Sequence, residues 1–275
     1  MPATVKIRLM AHLVAGYPTL DDSFTVAEAL AAGGADILEV QFPFSDPSAD
    51  GKPIQAACSA ALESHMKVSD GFALVERIRS RLNIPVFIMT YGNLIYSMGV
   101  ENFVMRAADA GAKGIIAPDL MPGSDEGLYE IGKEYEISIV PVITPQISPE
   151  RLRSIGAEKP IYLYCALRNG ITGDETILEQ STIDFLERVH PLSPVIMAGF
   201  GIHRPEQIEA LAPHADVAVA GSVFVREIQS LIAGSIPASN PVSTPVSREA
   251  LYEGVKTKAE CLLRQKHRIS AFQEN

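Results

Sequence analysis

Positive charge is scarce and scattered in this sequence: 23 Lys and Arg stand against 33 Asp and Glu, a formal net charge of −10 over 275 residues. No stretch gathers basic residues as a binder of a phosphate backbone requires, which argues against nucleic acid as a partner. Cysteine is sparse too. Cys58, Cys165 and Cys261 are odd in number, far apart and without metal-ligand spacing, so no disulfide framework is expected and a cytoplasmic, reducing location fits. No apolar run approaches the roughly 18 residues of a membrane-crossing helix. The opening stretch MPATVKIRLMAHLVAGYP is broken by His12 and ends at Gly16-Tyr17-Pro18 without a cleavage site, and reads as a first core strand rather than a signal peptide. The histidines form no H-x-E or H-x-x-x-H pattern, so no metal is expected. Lys52, in a loop, and Lys113, before a strand, are poorly placed for a Schiff base.

What the sequence does contain is a large apolar fraction, 47%, arranged as short β-branched runs alternating with amphipathic stretches. That alternation marks βα units around a parallel sheet. Eight runs are expected as strands: Leu9 to Ala15, Ile37 to Gln41, Pro85 to Thr90, Gly114 to Pro118, Ile137 to Val142, Ile161 to Cys165, Pro194 to Ala198 and Val217 to Ala220. Their continuous apolar character suits strands covered on both faces. Asp22 and Ser23 can cap one helix, and Ser69 and Asp70 another. Gly/Ala turns at Gly33-Gly34-Ala35, Gly111-Ala112-Lys113-Gly114 and Gly156-Ala157 return helices to strands.

Eight such units in about 250 residues favour an α/β fold of the closed (β/α)8 TIM-barrel type. An open doubly wound sheet is disfavoured, because no G-x-G-x-x-G follows the first strand. The whole chain, 1–275, is expected as one barrel domain, with a Pro/Ser-rich connection, Gly234 to Ser247, leading to an additional C-terminal helix from Arg248 to about Lys266.

Chemistry in such a barrel sits at the carboxyl ends of the strands. The second unit reads I-L-E-V-Q-F-P-F-S-D-P-S-A-D-G-K-P-I-Q, with Glu39 inside an apolar strand and Asp46 and Asp50 in the following loop. A carboxylate in a strand buried on both faces costs several kcal/mol unless it is paired, protonated or open to a polar cavity, so Glu39 is either a satisfied structural group or an acid/base at the barrel mouth. Glycines follow both of the last two runs, in G-F-G-I, Gly199 to Ile202, and A-G-S, Ala220 to Ser222. Backbone N–H groups and a helix N-terminus there form the recurrent phosphate site of this fold. After the sixth run, R-N-G-I-T-G, Arg168 to Gly173, has the glycines of a mobile lid.

The P-F-S-D-P-S-A-D-G, G-I-T-G and G-F-G-I stretches together resemble the alpha chain of tryptophan synthase, from about Ala11 to Ile228. The resemblance implies a lyase that cleaves indole-3-glycerol phosphate to indole and glyceraldehyde 3-phosphate, with no cofactor of its own. It implies Glu39 as the acid/base and Asp50 as the group that accepts the indole N–H. It further implies Gly173, Gly201, Gly221 and Ser222 around the phosphate, Tyr91, Ile143, Tyr164 and Phe200 along the indole pocket, and Arg168 and Thr172 in the lid. A pyridoxal-phosphate beta chain is the implied partner, in an αββα assembly, with Pro43, Asp46 and Pro47 shaping the loop that meets it and an apolar patch at Phe44 and Pro47. Gln41 stands where that family usually has glycine, and Pro118 where it has a small residue. Two other readings of the residues stay open: another phosphate-binding barrel, such as a phosphosugar isomerase or epimerase, and a non-catalytic regulatory subunit.

Overall fold

Each short apolar run becomes a strand, and the strands hydrogen-bond side by side in parallel. The computed structural model describes residues 7–167, 179–199, 201–235 and 246–263. Its strands are β1 (Arg8–Val14), β2 (Ile37–Gln41), β3 (Val86–Met89), β4 (Gly114–Ile116), β5 (Ser138–Val140), β6 (Val142–Ile143), β7 (Tyr162–Ala166), β8 (Val195–Gly199) and β9 (Val217–Ala220). They form one sheet in the order β5-β4-β3-β2-β1-β9-β8-β7-β6.

The two ends of that sheet, β5 and β6, are consecutive in the chain and separated only by Pro141. The fifth run, expected as one strand, is therefore two. Proline has no N–H to give the ladder, so pairing lapses at Pro141. Its carbonyl still accepts the Tyr164 N–H at 3.0 Å. Val140 pairs on one side with β4 and Val142 on the other with β7, and the ring closes through this residue pair. The sheet is a (β/α)8 TIM barrel.

Helices between the strands pack outside the ring: α1 (Leu20–Ala32), α2 (Lys52–Glu63), α3 (Val68–Arg81), α4 (Gly92–Met98), α5 (Val100–Asp109), α6 (Leu128–Glu134), α7 (Pro149–Glu158), α8 (Gln180–Val189), α9 (Pro205–Leu211) and α10 (Ser222–Gly234). The first cap is not Asp22 or Ser23. Thr19, whose backbone is extended (φ −136°), accepts the Asp22 N–H at 3.1 Å, and the helix begins one turn earlier than expected. Asp70 does act at its helix start, where its Oδ2 accepts the Lys67 N–H at 2.9 Å, although the helix opens at Val68.

The continuous apolar runs conceal a period of two. Met10, Ile37, Phe87, Met89, Ile116, Val140, Tyr164, Met197, Val217 and Val219 form a cluster inside the ring. Their chain neighbours Leu9, Ala11, Leu38, Val86, Ile88, Ile115, Leu163, Cys165, Ile196 and Ala218 belong to a second, larger cluster with the helices. Alternate residues thus face the barrel interior, as they must along any strand. His12 follows Met10 in this series, and Glu39 and Gln41 follow Ile37.

The additional helix, α11 (Arg248–Leu262), packs against α1 and α10 and buries Leu251, Val255, Ala259 and Leu262. The helix is capped at Leu263, short of the expected end near Lys266; the residues after Leu263, and most of the Pro/Ser-rich connection before the helix, lie outside the described residues. The seam with α1 is tight. A Cβ on Gly33, at the end of α1, would stand 2.6 Å from Ala259 Cβ and 2.7 Å from the Lys256 carbonyl oxygen. Gly33→Ala is expected to lower stability by about 1–3 kcal/mol, read as a shift of the urea midpoint; an unchanged midpoint would mean that α11 contributes little at this seam.

Candidate functional site

β2 carries two interior polar residues, and the strand register decides what they meet. Glu39 lies beside His12 of β1 and Phe87 of β3. Glu39 is 4% exposed, and its Oε1 is 3.5 Å from His12 Nδ1. Beyond β2, Phe42 anchors the chain by packing edge-on against Phe72, with ring centroids 5.1 Å apart. Backbone bonds from Ser48 N–H to the Asp46 carbonyl and from Asp50 N–H to the Pro47 carbonyl then fold the loop back over the barrel mouth. Gln55 Nε2 donates to the Asp50 carbonyl at 2.7 Å, which ties this turn to the start of α2.

The loop thereby delivers a second carboxylate, Asp50, also 4% exposed. Its Oδ2 accepts two hydrogen bonds, from Gln41 Nε2 at 2.7 Å and from the Tyr91 hydroxyl at 2.8 Å. The Tyr91 hydroxyl in turn accepts the Ala49 N–H at 3.1 Å, and its ring stacks on Phe44 with centroids 5.3 Å apart. Burial raises the Asp50 pKa above the usual carboxylate range, and the charge of Glu39 adds to this. The charge of His12 and the hydrogen bonds from Tyr91 and Gln41 offset part of it. Burial, and then Asp50, push the Tyr91 hydroxyl upward, so it remains a neutral donor. The same two causes push the Cys58 thiol up to about 12, which leaves it protonated and unreactive.

Glu39 and Asp50 both line a cavity of about 570 Å³, its open mouth included. Gly201, Gly221 and Ser222 line it as well, while Met89, Ile116, Pro118, Val142, Val219 and Ile54 supply apolar walls. Gly201 has φ +87°, a left-handed conformation that favours glycine, and its carbonyl accepts Gln207 Nε2 at 2.9 Å. Gly221 caps the 13-residue α10, and Ser222 is that helix's first residue. The first N–H groups of a helix have no partner within it and carry partial positive charge, so this wall attracts an anion. Among the described residues lining the cavity there is no Lys or Arg.

The other expected site residues fall as follows. Tyr164 lines the cavity, and its hydroxyl fits only because Gly199 has no side chain: a Cβ there would lie 2.6 Å from it. Tyr91 stands behind Asp50 rather than in the cavity wall. Ile143 does not line the cavity; it is 1% exposed and packs in the outer core, because the step from Val142 to Ile143 reverses the facing of the side chain. Asp46 is exposed, but Pro43 and Pro47 are buried and Phe44 is partly covered, so the apolar patch expected there is turned inward onto the loop's own anchors. Arg168, Thr172, Gly173 and Phe200 lie outside the described residues. Sequence reasoning missed His12, which lines the cavity, and did not foresee Gln41 as a ligand of Asp50. The signal for both is parity with Met10 and Ile37, which becomes readable only once the interior face is known. No group of three or more metal-ligating side chains occurs among the described residues, and no described helix is long and apolar enough to cross a membrane.

A parallel barrel with two buried carboxylates at the carboxyl ends of its strands, sharing a cavity with glycine turns after its last two strands, has the layout of a (β/α)8-barrel enzyme acting on a small phosphorylated ligand. Comparison with known proteins narrows this class. Residues 3–251 match the family described as tryptophan synthase alpha chain. The tryptophan synthase alpha chain of Helicobacter hepaticus is 39% identical over 239 residues, 84% of this chain and 89% of that protein. The alpha chain of Halalkalibacterium halodurans is 39% identical over 229 residues, 82% of this chain and 86% of that protein. Among solved structures, a mutant tryptophan synthase alpha-subunit from the hyperthermophile Pyrococcus furiosus superposes with a TM-score of 0.80 at 30% identity, covering 94% of this chain and 98% of that one. Mycobacterium tuberculosis tryptophan synthase gives a TM-score of 0.78 at 28% identity, with 94% of each chain covered. The chain belongs to the tryptophan synthase alpha chain family.

The buried carboxyl of Asp50 has a measurable consequence. With its folded pKa raised, the native state holds this proton more tightly than the unfolded chain, so the Asp50 contribution to stability falls as pH rises from about 3.8 through the folded pKa. Asp50→Asn keeps acceptors for Gln41 and Tyr91 without the buried charge. Its Tm is expected above that of the wild type at pH 7.5, with the gap closing toward pH 4 in thermal melts. A variant less stable than wild type at pH 7.5 would contradict this.

Proposed function

We propose that this chain cleaves indole-3-glycerol phosphate to indole and glyceraldehyde 3-phosphate, as the alpha subunit of tryptophan synthase. One observation carries the reading: Glu39 and Asp50, each 4% exposed, reach a single cavity that Gly201, Gly221 and Ser222 also line. That arrangement suits an apolar ring with one N–H, joined by a short hydroxylated chain to a phosphate.

The phosphate binds the N–H groups at Gly201 and at the start of α10, with Gly173 completing the site. The indole lies among the apolar walls and Tyr164, with Phe200 as a further contact. Asp50 accepts the indole N–H. Its Oδ2 is occupied by Gln41 and Tyr91, which leaves Oδ1 for the ligand. Glu39 protonates carbon 3 of the indole, and positive charge develops on the ring nitrogen beside Asp50. The hydroxyl on the carbon attached to carbon 3 then gives up its proton, which returns to the Glu39 carboxylate, and becomes the aldehyde carbonyl. The electron pair of the broken carbon–carbon bond returns to the ring and restores the aromatic indole. No step calls for a metal or an organic cofactor on this chain.

Arg168 and Thr172, outside the described residues, are the lid residues that the family resemblance implies. The partner is a pyridoxal-phosphate beta chain in an αββα assembly, met by the loop that Pro43, Asp46 and Pro47 shape; one solved relative is a tryptophan synthase complex from Pyrococcus furiosus. The unpaired cysteines and the substrate class fit a cytoplasmic location.

Indole release from indole-3-glycerol phosphate tests this directly. Glu39→Gln is expected to reduce kcat by about 10²-fold or more, and Asp50→Asn by about 10²-fold with a smaller change in KM. Wild-type protein that releases no indole even with a beta chain present would overturn the lyase reading, and full turnover by Glu39→Gln would remove Glu39 from its role.

A further inference from the structure

The resemblance and the motifs assign no task to His12, yet it sits where the reaction takes place. It lies in β1 in register with Glu39, is 3% exposed, and lines the same cavity as Glu39, Asp50, Gly221 and Ser222. One ring nitrogen, Nδ1, is 3.5 Å from Glu39 Oε1. The other, Nε2, is buried and has no hydrogen-bond partner among the described residues. On the far side the imidazole packs on Gly221: a Cβ built there would be 3.3 Å from His12 Cβ and 3.4 Å from Cγ. The ring therefore stands between the proposed acid/base and the proposed phosphate site, alongside the stretch of cavity that must hold the hydroxylated chain joining indole to phosphate. A buried polar nitrogen left unpaired is destabilising, and a ligand hydroxyl would remove that cost.

We propose that His12 is a second catalytic residue, paired with Glu39, and that its Nε2 accepts the proton of the substrate hydroxyl whose oxygen becomes the aldehyde. This rests on the lyase reading above and divides its proton transfers between two groups. Glu39 gives its proton to carbon 3 of the indole and becomes a carboxylate. The hydroxyl proton passes to Nε2 as the carbon–oxygen double bond forms and the carbon–carbon bond breaks, its electron pair returning to the indole ring. The imidazolium then gives its Nδ1 proton to Glu39. One proton leaves the substrate oxygen, one reaches the substrate carbon, and the pair ends with as many protons as it began; the imidazole, left with its proton on Nε2, exchanges it back to Nδ1 through water once the products leave. A carboxylate beside one imidazole nitrogen orients the ring and stabilises its charged form, which sets the other nitrogen up as a base.

Three measurements on the full chain test this. Indole release gives kcat and KM for wild type, Glu39→Gln, His12→Phe and His12→Ala. Because the sequence contains no Trp, indole fluorescence also reports binding of indolylpropyl phosphate, an analogue without side-chain hydroxyls. His12→Phe keeps the ring volume; it is expected to lower kcat by about 10²-fold while its affinity for the analogue stays at the wild-type value, which also shows that the variant is folded. Imidazole added to His12→Ala is expected to restore part of the rate. Wild-type turnover by His12→Phe alongside an inactive Glu39→Gln would overturn the role of His12 and leave the lyase reading standing. A loss of analogue affinity as large as the loss of kcat would also overturn it, by marking His12 as a packing residue, and a wild type that cleaves nothing would overturn both.

Discussion

The cost of holding carboxylates inside a closed barrel governs this structure. Parallel strands exclude water from the ring, and a buried anion without partners is expelled, neutralised or compensated. Compensation here is local. Two interior side chains of β2, Glu39 and Gln41, and one loop residue, Asp50, form a small polar island among Met89, Ile116 and Val219. Gln41 and Tyr91 both donate to the same oxygen of Asp50, while His12 stands beside Glu39. Compensation is incomplete, since burial still raises the Asp50 pKa. A carboxylate stabilised only in part is one that gains from a cationic partner.

The glycines of the same cavity solve the complementary problem. The chain carries a net charge of −10, and no Lys or Arg appears among the described residues lining the cavity. An anion must be held by oriented N–H groups, which need close backbone approach and a helix whose axis ends at the ligand. Gly201 in a left-handed conformation and Gly221 at the head of α10 meet both conditions. Glycine serves a third purpose at Gly199, where its missing side chain admits the Tyr164 hydroxyl. The cavity thus offers backbone dipoles at its glycine turns and side-chain carboxylates on β2 and the loop that follows it. The two sets do not compete for charge.

Strand positions, the parallel arrangement and the placing of Glu39 in an apolar strand with Asp50 in the loop after it were legible in the residues, because burial on both faces and a Gly/Pro-bounded loop leave compositional marks. Other features left none. Pro141 sits inside an apolar run, and only the ring shows that the sheet closes across it. Ile143 is as apolar as Val142, so composition could not say which of them faces the cavity. Pro43 and Pro47 read as surface residues of a polar loop, whereas the turn over Asp46 to Asp50 folds them inward.

Local chemistry along the chain was thus enough to determine the βα alternation, the barrel class, the acidic loop after the second strand and the glycine turns after the last two. It needed no knowledge of what each strand would touch. Which nitrogen faces Glu39, which oxygen of Asp50 is already taken, and which alternate residues look inward were decided only by tertiary structure. Register pairs His12 with Glu39 across 27 residues of sequence, and the fold brings the Tyr91 hydroxyl to Asp50 across 41. These are properties of neighbouring strands and of ring closure, and a linear sequence states neither.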